Sequence, residues 1–154
     1  MNLSKHVSYK EGTYSVTANR LGLKNDPTEE HLKNMKLICE KVFEPLRGHV
    51  MHPIKINSFY RGTSLNKAIG GSLSSQHCKG QAMDIDDSYG NATNAYMYKW
   101  IKENLDFDQM IWEFGNDKNP DWVHVSFVNE GENRNRCLKA YRKEGSRKTY
   151  YKII

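Results

Sequence analysis

No run in this sequence approaches the roughly 20 consecutive apolar residues that a membrane-crossing helix needs. The opening stretch, MNLSKHVSYKEGTY, carries charge but lacks the apolar core of a secretory signal. Both absences lead to the expectation of a cytoplasmic chain that reaches the outside only by a route such as lysis. Cysteine is also scarce. Cys39, Cys78 and Cys137 are odd in number, widely spaced and form no Cys-x-x-Cys pair, which argues for thiols in a reducing compartment. There is no internal repeat, low-complexity segment or interdomain linker, so residues 1–154 read as a single domain.

What is present fits a folded protein. Apolar residues make up 38% and charged residues 27%, a balance unlike that of a disordered chain. The net charge of +5 is unevenly placed: Gly131 to Ile154 hold eight Lys or Arg against two Glu. A basic C-terminal extension on a near-neutral body suggests either a solvated surface or contact with an anionic polymer such as a cell wall. Nucleic acid is a weaker fit, because no helix-turn-helix or aromatic-on-sheet signature accompanies the charge.

Read in order, residues 1–25 look like an irregular, polar N-terminal arm. Asp26-Pro27-Thr28-Glu29 then suggests a helix start with Asp26 as cap. Leu32, Met35, Ile38, Val42, Phe43 and Leu46 recur at helical spacing over about 28–46, with Arg47-Gly48 as its end. Residues 54–59 alternate as a half-buried strand, and a short helix follows through Leu65 and Ala68. A further helix is expected from Asn91 or Thr93 to about Asn104, and residues 109–114 and 122–127 form a hairpin. The tail suggests a helix at 134–143 and a strand at 149–154. The whole is an α+β domain with a small antiparallel sheet packed with helices.

The chemistry concentrates in two places. Ser74 to Asp84 contains His77 and Asp84, and Trp122-Val123-His124-Val125-Ser126 supplies a second histidine. Two histidines and a carboxylate drawn from separate segments suit a zinc site that keeps a position open for water. Strand alternation puts Trp122, His124 and Ser126 on one face. Asp84 lies in a locally apolar run, where an unpaired carboxylate would cost several kcal/mol; a metal or a salt bridge would relieve that cost. Cys78 adjoins His77, but adjacent side chains diverge, which places it outside the ligand set.

These segments, together with Ser58-Phe59-Tyr60-Arg61, Asn66, Gly70-Gly71-Ser72, Gly80, Ala82 and Ile85, resemble the M15 family of zinc D-Ala-D-Ala carboxypeptidases and peptidoglycan endopeptidases. Ser15-x-Thr17-Ala18, Leu21-Gly22, Asn25-x-Pro27 and Pro45-Leu46-Arg47 are similar to its short bacterial and phage lytic forms, so the likeness spans about residues 8–128. The resemblance implies a DD-peptidase/Hedgehog-like fold, a Zn2+ ion on His77, Asp84 and His124, and Arg61 binding substrate and stabilising the oxyanion. Ser75 and Gln76 would line the approach. It implies a general base three residues before the last histidine, which is Asp121, with Glu113 as the competing residue. The implied substrate is a peptidoglycan stem peptide or a D-Ala-terminated peptide, cleaved by a carboxypeptidase or endopeptidase of lytic type. The alternative is a metal-stabilised binding or virion structural module without turnover.

Overall fold

The computed structural model describes residues 1–154 and begins with a two-stranded ribbon, β1 (Asn2–Ser4) against β2 (Val7–Ser8). Two short helices follow, α1 (Tyr9–Thr13) and α2 (Val16–Leu21). The N-terminal arm is therefore ordered rather than irregular. Its elements are too short to show periodicity, and they are fixed instead by hydroxyl caps. Ser8 Oγ accepts from the Glu11 amide at 3.0 Å and Ser15 Oγ from the Ala18 amide at 3.1 Å. Leu3 and Val7 then join the main core.

The expected long helix is present with different ends. α3 (Glu29–Ile38) starts at Thr28, whose hydroxyl accepts from the His31 amide at 3.2 Å, and the His31 ring faces back toward the Thr28 amide. Thr28 displaces Asp26 because its extended backbone (φ −71°, ψ 171°) puts the hydroxyl over the helix end. A π-turn (Cys39–Phe43) leads into α4 (Glu44–Val50). Pro45 explains the wide turn: an ordinary helix would set its ring against a carbonyl one turn back. The rod runs past Gly48 and stops at Met51, which is left-handed at φ 63°.

β3 (Lys55–Ser58), α5 (Thr63–Ala68), β4 (Ala82–Asp86) and α6 (Asn94–Asn104) come next, followed by the expected hairpin of β5 (Gln109–Glu113) and β6 (Trp122–Ser126). The tail forms β7 (Arg136–Tyr141) and β8 (Tyr150–Ile153). The helix expected at 134–143 is thus a strand. Its Arg, Leu, Lys and Ala favour helix locally, but pairing with β5 overrides that preference. The sheet order is β3-β4-β6-β5-β7-β8, and all its pairs are antiparallel except β5 with β7. The sheet is consequently mixed and not wholly antiparallel. After β6 the chain returns to the start of β5, where Asn135 and Arg136 amides donate to the Phe107 and Asp108 carbonyls.

The basic tail is structured as well. Arg142 stacks on Phe114, Lys143 on Tyr150 and Lys152 on Tyr141, while Lys139 pairs with Asp117.

This α+β arrangement gives the sheet two unlike faces. Met83, Ile85, Met110, Val123 and Val125 turn to one side and are buried with Met35, Ile38, Val42 and Leu46 of the rod and Met97 and Ile101 of α6. Their neighbours in sequence, including Asp84, Ile111, Glu113, Trp122 and His124, take the other side by strand alternation. No helix is long and apolar enough to cross a membrane.

Gly80 couples the rod to this second face. It is left-handed at φ 73°, and a Cβ there would meet the His31 carbonyl oxygen at 2.5 Å and Met35 Cγ at 2.7 Å. Gly70 shares the conformation (φ 74°) but faces open space. Gly80→Ala should lower unfolding free energy by about 2–5 kcal/mol and Gly70→Ala by about 1 kcal/mol, as measured by urea denaturation. Equal losses would contradict the packing role assigned to Gly80.

Candidate metal centre

Asp84 of β4 lies directly opposite His124 of β6 in the sheet register. Directly opposed residues share a face, so pairing alone brings these side chains together. Asp84 Oδ1 stands 2.9 Å from His124 Nδ1. His77 arrives from a short 3-10 turn, Gln76–Lys79, that lies over the sheet. Ser75 Oγ accepts from the His77 amide at 3.3 Å and opens the turn; left-handed Gly80 closes it. The Arg61 amide donates to the His77 carbonyl at 3.1 Å, tying the turn to the chain leaving β3.

The His77 ring is fixed by its other nitrogen. Nδ1 donates to the Phe59 carbonyl at 2.7 Å, because a carbonyl can only accept. In the neutral ring Nε2 then carries a lone pair. It lies 3.3 Å from Asp84 Oδ1 and is a buried atom with no hydrogen-bond partner. Burial disfavours the protonated His77 ring, although Asp84 opposes that effect. Burial also opposes ionisation of Asp84, while His124, with Nδ1 at 2.9 Å, favours it. A lone pair facing a carboxylate needs a cation between them. His77, Asp84 and His124 provide three donor atoms within 4.8 Å of one another. The donor set and the orphaned Nε2 both fit a metal ion. The carbonyl bond to Nδ1 is the outer support that fixes such a ligand's tautomer. Cys78 is absent from this group.

The triad opens into a cleft of about 700 Å³ that also contains Arg61, Ser75, Gln76, Glu113 and Trp122. Glu113 faces Trp122 across the β5–β6 ladder and therefore points to the metal face. It is 9% exposed, and burial pushes its carboxyl up to about 7, with His124 partly offsetting the effect. Arg61 makes no ion pair, and its Nε is buried without a partner; burial lowers its pKa against the pull of Asp84. The flanking backbone is held by Asn25, which donates to the Tyr60 carbonyl and accepts from the Gly62 amide.

Asp121 behaves differently. It is exposed and absent from the residues lining the cleft; its amide donates to the Glu113 carbonyl and its carbonyl accepts from Asn94 Nδ2. It sits in a bend immediately before β6, outside the strand itself. Glu113 lines the cleft with the triad, whereas Asp121 does not.

Three further polar residues enter the cleft that motif reading did not single out: Gln109, Arg134 and Tyr151. Gln109 could have been found by alternation with Glu113 on the same strand. Arg134 and Tyr151 depend on the parallel placement of β7, which no local pattern reveals.

A family model described as Peptidase M15 matches residues 5–126, more than three quarters of the chain. No curated protein matches it.

The geometry predicts one tight divalent site. Isothermal titration of metal-free protein with Zn2+ should give a single equivalent, and His77→Ala or His124→Ala should weaken it at least about 100-fold. Unchanged affinity in either variant would refute the ligand set.

Proposed function

The chain belongs to the M15 peptidase family, and on that premise we propose that it hydrolyses peptide bonds in peptidoglycan stem peptides, with Glu113 as general acid and base. Its triad and family class it as a metallopeptidase. The observation that carries the base assignment is the buried Glu113 on the same sheet face as His124, with its proton affinity raised to about 7. A group titrating there can accept a proton from water and return it to a leaving amine.

The ion we assign is zinc, because two imidazoles and one carboxylate are a catalytic zinc donor set that leaves a coordination position free. Zinc, when bound, acidifies water and polarises a carbonyl. The chain's own groups perform the remaining tasks. Glu113 holds the migrating proton on its carboxylate and passes it to the leaving nitrogen. Arg61 keeps an unpaired guanidinium in the cleft, suited to the negative oxygen that develops during attack. Gln76 is oriented by donating to Asp108 at 3.0 Å, which leaves its carbonyl oxygen to accept from a substrate amide. Ser75 holds the His77 turn and borders the same approach.

The polar lining suits a short peptide rich in amides, either a D-Ala-terminated peptide or an interior stem bond. We read residues 1–154 as one catalytic unit of the DD-peptidase/Hedgehog-like type. We also infer that it reaches the wall after lysis, with the basic β7–β8 region near an anionic wall polymer.

Zinc-loaded protein incubated with purified peptidoglycan and with a D-Ala-D-Ala-terminated peptide should release products identifiable by mass. Absence of cleavage with metal bound would favour a binding or structural module. Glu113→Gln should lower kcat about 100-fold or more while zinc stays bound, whereas Asp121→Asn should remain within about threefold of wild type. The reverse pattern would return the base to Asp121.

A further inference from the structure

Arg134 lies outside the family-matched segment, yet it lines the metal cleft. Its guanidinium is held by a buried carboxylate. Arg134 Nε donates to Asp108 Oδ1 at 3.0 Å and Nη2 to Asp108 Oδ2 at 2.8 Å. The Arg134 amide also donates to Oδ1, at 3.1 Å. The Asp108 side chain is only 3% exposed, whereas that of Arg134 is 52% exposed. One edge of the guanidinium is therefore fixed, while the other retains N–H donors without protein partners. Those donors have the fork spacing that receives a carboxylate through two parallel bonds.

The fork is also rigidly related to the triad. Asp108 accepts from Gln76, the residue immediately before ligand His77. Asp108 lies three residues before Ile111, and Ile111 is paired with His124. At the strand rise that interval is roughly 10 Å along the sheet.

The geometry points to Arg134 as a specificity anchor: it binds a carboxylate that the substrate carries away from the bond to be cut. This inference rests on the peptidase reading for the nature of the ligand. The carboxylate belongs either to the substrate's chain terminus or to a side branch. Both present the same chemistry to the fork, and amidation distinguishes them.

The test uses zinc-loaded Glu113→Gln protein, in which binding is measured without turnover. Calorimetry compares a D-Ala-D-Ala-terminated stem pentapeptide having both carboxylates free with two analogues, one amidated at the terminus and one at the side branch. One amidation should weaken Kd at least about tenfold, as expected for loss of charge-assisted bonds. The analogue that weakens identifies the source. Adding Arg134→Gln together with Asp108→Asn, so that no buried charge is left unpaired, should reduce the difference to within about twofold. Arg134→Lys, which keeps the charge but loses the fork, should also lose most of the preference. Equal binding of all three peptides, or a preference that survives the double substitution, would overturn the anchor. Wild-type protein tested for cleavage of the same peptides separates the two readings, since binding preference without cleavage would retain the anchor and reject the peptidase.

Discussion

Asp84 is the constraint on which the arrangement depends. It is a carboxylate on a strand whose neighbours, Met83 and Ile85, are buried among helices. It has to remain charged while surrounded by little water; His124 stands beside it as its cross-strand partner, and His77 descends on it from the overlying turn. Without a cation, His77 Nε2 would present its lone pair to that charge. The same pairing that completes the core therefore creates the demand for a metal.

The surrounding structure holds these groups still. The rod accepts Gly80 against the His31 carbonyl, the Phe59 carbonyl fixes the His77 ring, and the parallel return of the chain to β5 closes the far side of the cleft. We propose proton transfer for Glu113 and charge stabilisation for Arg61. Both groups lie within the cleft without a neutralising ion-pair partner, an arrangement that stores reactivity rather than stability.

Much of this was legible in the sequence because it depends on local period. Alternation in 122–127 placed His124 opposite the core valines, and the repeat from Leu32 to Leu46 identified the rod. The ligand set was accessible because the Ser75-to-Asp84 and Trp122-to-His124 segments together resemble the M15 family, whereas neither segment alone is specific. Other features depended on tertiary pairing. Asp121 holds the base's position in the motif but sits in a bend outside the cleft lining, whereas Glu113 is placed on the cleft side by the hairpin register. Residues 136–141 contain good helix formers but were recruited as a parallel strand. The N-terminal arm concealed its order because hydroxyl caps and only a few core contacts hold it.

A crystal structure of the zinc-loaded protein, with the ion located by anomalous scattering, tests the central claim most directly. The account predicts one zinc bound by His77 Nε2, Asp84 and His124, with the Glu113 carboxylate facing the remaining coordination position and Asp121 turned away. Zinc bound elsewhere, or Asp121 facing that position in place of Glu113, would contradict it.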